Sequence, residues 1–138
     1  YDFGIVKLSA NATRSRYERS HALPLLAGGV PDVDVSAYLV GITAPVGAGL
    51  IRAAVSQVRY DRHTPVAAPM TGAPKATKLA LGYVHNLSKR TALYATIARV
   101  RNRNGASLTV NGAPAFISSA TFTPAVSTGY DLGLRHAF

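Results

Sequence analysis

The sequence predicts an all-β chain, an antiparallel up-and-down segment of a transmembrane β-barrel. Three observations predict it. Six segments alternate apolar residues with polar or small ones at a period of two, the period of a strand with one apolar face. The connections between them alternate long and short without a miss. Lys and Arg within the segments fall mostly opposite the apolar residues, where they avoid the roughly 2–4 kcal/mol that a cation costs facing mid-bilayer lipid.

The predicted segments are 2–14, 35–45, 50–60, 76–86, 91–101 and 127–138. In the first, Val6, Leu8, Ala10 and Ala12 oppose Lys7, Ser9, Asn11 and Thr13, while Phe3 and Ile5 break the parity. The second carries Tyr38, Val40, Ile42 and Ala44 on its apolar face, and the third opposes Ile51, Ala53 and Val55 to Arg52, Ala54 and Ser56, with Tyr60 out of step. In the fourth, Leu79, Leu81 and Tyr83 oppose Lys78, Ala80 and Gly82. In the fifth, Ala92, Tyr94, Ala98 and Val100 are read as the apolar set, against Arg99 and Arg101, with Thr96 an exception. The sixth is the cleanest: Tyr130, Leu132, Leu134, His136 and Phe138 share one face, and Gly129, Asp131, Gly133, Arg135 and Ala137 the other.

The first connection is long, with Pro24 and Gly28-Gly29, and the second is only Pro45-Val46-Gly47-Ala48-Gly49. The third is long again, with Pro65, Pro69, Gly72 and Pro74; the fourth is Leu87-Ser88-Lys89-Arg90; the fifth runs from about Asn102 to Pro124. An up-and-down meander then gathers the long loops at one rim and the short turns at the other, as outer-membrane barrels do with external loops and periplasmic turns. Strand one runs outward and strand six returns, leaving Phe138 at the periplasmic edge. Aromatic residues collect where hydrocarbon meets headgroups. Tyr38, Tyr60 and Tyr130 are thus expected at the outer level, and Phe3, Tyr83, Tyr94 and Phe138 at the periplasmic one; the lipid-facing girdle is read as Tyr38, Tyr83, Tyr94, Tyr130 and Phe138.

Composition narrows the function. With 138 residues and 48% hydrophobic content, the chain suits one domain, read as 1–138. No run approaches the roughly 18 apolar residues of a spanning helix. There is no Cys, so disulfides and thiolate metal sites are excluded. A net charge of +9 favours anionic partners. Tyr1-Asp2-Phe3-Gly4-Ile5-Val6-Lys7 already reads as strand rather than signal peptide, so the chain is expected to begin partway through a longer protein.

Lys7, Arg52, Lys78, Arg99 and Arg135 are the candidate pore-lining cations; the competing reading is a structural ladder with Asp2, Asp131 or loop carboxylates. Lys89 and Arg90 read as solvated turn residues. The four His residues, His21, His63, His85 and His136, lack metal-ligand spacing, and Asp32 and Asp34 fall short of the six to eight oxygens that Ca2+ takes, so no metal is expected. Ser56 and Ser88 have no His-acid arrangement beside them, so no catalytic residue is expected. The basic runs 14–19 and 99–103 have little aromatic interleaving, which favours an external surface touching lipopolysaccharide phosphates over nucleic-acid binding.

The stretch 81–95, Leu-Gly-Tyr-Val-His-Asn-Leu-Ser-Lys-Arg-Thr-Ala-Leu-Tyr-Ala, resembles the strand-turn-strand of Gram-negative general porins, especially the betaproteobacterial type. Gly133-Leu134-Arg135-His136-Ala137-Phe138 resembles the same family's closing strand, and a looser likeness covers 38–59. The resemblance implies the C-terminal portion, about the last six strands, of a 16-stranded outer-membrane barrel. It implies a homotrimer when full length, conducting small ions and hydrophilic solutes, often with anion preference and without cofactor. It also implies recognition of the closing strand by the barrel-assembly machinery. A structural anchor or adhesin without transport is the alternative.

Overall fold

The computed structural model describes residues 1–18, 33–62, 72–111 and 124–138. Six strands, β1 (Lys7–Tyr17), β2 (Val33–Val46), β3 (Gly49–Arg62), β4 (Lys75–Asn86), β5 (Thr91–Arg103) and β6 (Val126–His136), form one antiparallel sheet in sequence order. Each strand pairs only with its neighbours in the chain, so the sheet is a meander with β1 and β6 as its edges. The strand ends confirm that long and short connections alternate and that each kind occupies its own rim.

The first strand begins later than expected. Gly4, at φ 85°, turns the chain back; the Phe3 N–H donates to the Val6 carbonyl at 2.9 Å, and Tyr1 and Leu8 exchange backbone hydrogen bonds at 2.7 and 2.8 Å. Phe3 and Ile5 therefore lie in a turn, and their broken parity has no strand to break.

The two short turns follow from local chemistry. Gly47-Ala48 joins β2 to β3 with Gly47 at φ 56°, the first central position of a two-residue hairpin that calls for glycine. Between β4 and β5 the Ser88 hydroxyl accepts from the Arg90 and Thr91 N–H groups at 3.1 and 3.0 Å.

Register then sorts every side chain onto one of two faces. On one face, cross-strand rows such as Leu8–Ile42–Ala53–Leu81–Ile97–Tyr130 run the full width of the sheet. On the other, the row Lys7–Thr43–Arg52–Gly82–Thr96–Asp131 is mostly polar or small. The banded face is bare: Tyr130 is 90% exposed and Leu132 79%. Such a face is stable only against an apolar surrounding.

The fifth strand corrects the sequence reading. Leu79 pairs with Arg99, Leu81 with Ile97 and Tyr83 with Ala95, so Leu93, Ala95, Ile97, Arg99 and Arg101 share the apolar-banded face. Ala92, Tyr94, Thr96, Ala98 and Val100 share the polar one, and Thr96 is no exception. Arg99 therefore leaves the group of Lys7, Arg52, Lys78 and Arg135, and Tyr94 leaves the girdle. Tyr60 also lies on the polar face, opposite Val35.

Beyond β5 the chain reverses at Asn104-Gly105, with φ of 55° and 81° and the Ala106 N–H donating to the Arg103 carbonyl at 3.2 Å. Residues 106–111 thus return over the polar face. Ala106 is buried with Ala76 and Val100, and Val58, Leu108 and Val110 pack against them. Asn102 anchors the segment, donating to the Leu108 and Pro124 carbonyls at 2.7 Å each and accepting from the Leu108 N–H at 3.1 Å.

Tyr94 lies across Gly133, its directly opposed partner, and a Cβ at Gly133 would stand 2.5 Å from the ring. Gly133→Ala is expected to lower stability by about 1–3 kcal/mol through overpacking. Urea unfolding of the full-length protein should show this loss, and Tyr94→Ser in the same chain should remove most of it. An equal loss with and without the ring would show that the added methyl meets something else.

Candidate functional site

The polar face curves into an open hollow lined by Ser9, Thr43, Arg52, Tyr94, Thr96 and Arg135, which spans the sheet from β1 to β6. Four of the five expected pore-lining cations, Lys7, Arg52, Lys78 and Arg135, stand on this face. Asp131 is the carboxylate that the strands place among them.

These four cations differ in what holds them. Lys7 lies 3.2 Å from the Asp2 carboxylate, which also accepts the Gly4 N–H at 2.9 Å. The Gly4 N–H first, and then Lys7, hold the Asp2 carboxyl below its ordinary range. Lys78 donates to the Val110 carbonyl at 3.0 Å and so tethers the returning segment 106–111. Arg52 and Arg135 make no ion pair among the described residues, and both are exposed in the hollow. Their charges face the open hollow. Sequence parity found both arginines but not the tether on Lys78, for which the Asn104-Gly105 turn dipeptide was the available signal.

On the other face Tyr38, Tyr83 and Tyr130 stand with the aliphatic band, exposed by 59, 39 and 90%. Phe138 follows β6 and meets the His136 ring edge-on at 5.1 Å. Tyr83 covers Gly49, the counterpart of Tyr94 over Gly133. His85 is hydrogen-bonded to Tyr83 at 3.1 Å and His136 to Thr91 at 2.9 Å. Asp34 is buried, with the Arg14 guanidinium 3.4 Å away. No group of three or more His, Cys, Asp or Glu comes together among the described residues; Asp32, His21 and His63 lie outside them.

Comparison with known proteins adds the family context. A family model described as Gram-negative porin matches residues 1–105. The chain is similar to outer membrane porin protein 32 of Delftia acidovorans, 33% identical over 138 residues, covering 100% of this chain and 34% of the relative. It thus spans about a third of the length of the curated relative it matches. No solved structure matches. Outer-membrane residence follows, and with it contact with lipid.

Arg in place of Leu132 would then face lipid at a cost of about 2–4 kcal/mol near mid-bilayer, whereas Arg in place of Thr96 would face the hollow. In the full-length protein Leu132→Arg should reduce the heat-modifiable, folded fraction in membranes, and Thr96→Arg should leave it near the parent level. Equal defects would defeat the face assignment.

Proposed function

Because the chain belongs to the Gram-negative porin family, we propose that its sheet forms part of the wall of a passive diffusion channel for small hydrophilic solutes and ions, with a preference for anions. Single-chain bacterial barrels have at least about eight strands. The two open edges, β1 and β6, therefore join further strands of the full-length protein, and the polar face lines the lumen. Long connections point to the cell exterior and short turns to the periplasm. Lys7, Arg52, Lys78 and Arg135 are lumen-side, and Arg52 and Arg135 are the pair that acts on permeating ions. Tyr38, Tyr83, Tyr130 and Phe138 serve as the lipid-facing aromatic girdle.

One observation carries this reading: Arg52 and Arg135, without ion pairs among the described residues, share a hollow whose lining also includes the hydroxyls of Ser9, Thr43 and Thr96, small residues, Leu39, Val84 and the Tyr94 ring. A water-filled lumen walled by low-dielectric material focuses their field and raises the local concentration of anions. Translocation of this kind is downhill and needs no cofactor. Assembly as a homotrimer, and recognition of the closing strand by the barrel-assembly machinery, belong to the same proposal and rest on the family resemblance.

Charges acting through water lose influence beyond the Debye length, about 10 Å at 0.1 M salt and about 3 Å at 1 M. Replacing Arg52 and Arg135 together by Gln in the full-length protein should move the zero-current potential in a salt gradient toward cation preference. The shift should be largest in dilute salt and shrink toward 1 M. Planar-bilayer recording of single channels measures it; an unchanged potential in dilute salt would show that both arginines lie off the conduction path, and absent conductance would favour the anchor or adhesin reading.

A further inference from the structure

One strand departs from the polar character of its face. On the side that carries Arg52, β2 presents Val33, Val35, Ala37 and Leu39 in succession, and the register widens this stripe with Tyr17 opposite Val33 and Tyr60 opposite Val35. Alternate residues of a strand lie about 7 Å apart, so the stripe is about 20 Å long. It is open to solvent in part: Leu39 is 40% exposed and Tyr17 61%. A single exposed apolar side chain is ordinary, whereas a contiguous stripe marks a surface that meets something apolar.

The stripe leads from the end of the sheet with the long connections into the hollow. Leu39 borders the hollow together with Arg52 and Arg135. Val84 and Tyr94, directly opposed on β4 and β5, continue the apolar surface across the strands that separate the two arginines. Hydrocarbon and two guanidinium groups without ion pairs among the described residues thus share one concavity, and Asp131 does not border it. Small-molecule sites have this make-up, mostly apolar with a few placed polar groups. An inorganic anion can use only the charges. A carboxylate carried on a ring can use both, since guanidinium matches a carboxylate bidentately and stacks on flat rings.

We propose that the β2 stripe and the hollow form a binding track for amphipathic organic anions, monocarboxylates bearing an aromatic or alicyclic ring, and that it favours them over carboxylates of equal charge without a ring. The track rests on the channel reading and adds to it a substrate class. Charge brings the anion to Arg52 and Arg135, and the apolar wall decides which anion stays.

The test records single channels of the full-length protein in planar bilayers at 0.1 M KCl and pH 7 while benzoate, cyclohexanecarboxylate, acetate or benzamide is added, and reads the concentration that half-saturates interruption of the current. Benzoate and cyclohexanecarboxylate should half-saturate at least tenfold below acetate and below benzamide, which has the ring without the charge. Tenfold is about 1.4 kcal/mol, which at roughly 25 cal/mol per Å² needs only about 55 Å² of apolar surface removed from water. Val35→Ser and Leu39→Ser together should bring benzoate toward the acetate value, and Arg52→Gln with Arg135→Gln should weaken benzoate and acetate alike. Equal values for benzoate and acetate overturn the track, as does a Val35→Ser, Leu39→Ser variant that binds benzoate like the parent, which would show the stripe covered by other parts of the chain. Benzamide binding as tightly as benzoate overturns the role of the arginines. If the double serine variant does not fold, the four solutes on the parent protein decide. Failure of the channel reading itself is distinct, because it leaves no current in any of the solutions, whereas failure of the track leaves a conducting pore that does not discriminate.

Discussion

Backbone hydrogen bonding inside lipid is the constraint on which everything else in this sheet depends. With no water to satisfy a stray N–H or C=O, each strand must be paired along its length by its neighbours, and here β2 to β5 are each paired by the strands before and after them, while β1 and β6 each have one neighbour in the sheet. Pairing fixes register, and register fixes which face every side chain takes. A slip of one residue would turn Leu132 inward and Arg135 outward. The short hairpins at Gly47-Ala48 and at Ser88 are thus more than connections, because they fix the pairing of β2 with β3 and of β4 with β5.

Most of this is legible in the sequence, because an apolar band beside a polar face leaves a period of two. The closing strand shows it best, with Leu132 and Leu134 against Asp131, Gly133 and Arg135. The fifth strand misleads for a physical reason. Ala92, Ala95 and Ala98 are apolar and small on both faces, and Leu93 and Tyr94 are adjacent and equally able to face lipid. Arg99 and Arg101 then tip the parity the wrong way, because a cation is expected opposite the apolar residues although the cost of one facing lipid falls toward the bilayer interfaces. Pairing of Leu81 with Ile97 settles it instead, and no single-strand pattern contains that fact. The first strand misleads because Gly4 reverses the chain within a run that alternates well enough to pass as extended.

Charge on the polar face illustrates the difference between what a residue is and what remains of its field. Lys7, Lys78, Arg52 and Arg135 are equivalent in a composition count. Asp2 cancels much of the first, and the carbonyl of Val110 occupies the second as a structural tie. Arg52 and Arg135 are left facing open space. An inventory of cations therefore overstates the free charge of this face, and the geometry singles out the two on which the proposed anion preference rests.

The reversal at Asn104-Gly105 gives the first part of the β5–β6 connection a fixed course. Residues 106–111 form a shelf, fastened to the strands by Asn102, Lys78 and the contact of Val110 with Ser127, whose hydroxyl accepts the Val110 N–H at 3.3 Å. These fasteners lie on the strands and on the shelf itself, and the far side is supplied by Ser127 on β6 and by the Pro124 carbonyl that accepts from Asn102. Changes at Asn102, Lys78 or Ser127 would therefore reshape the polar face through the shelf, although none of the three borders the open hollow.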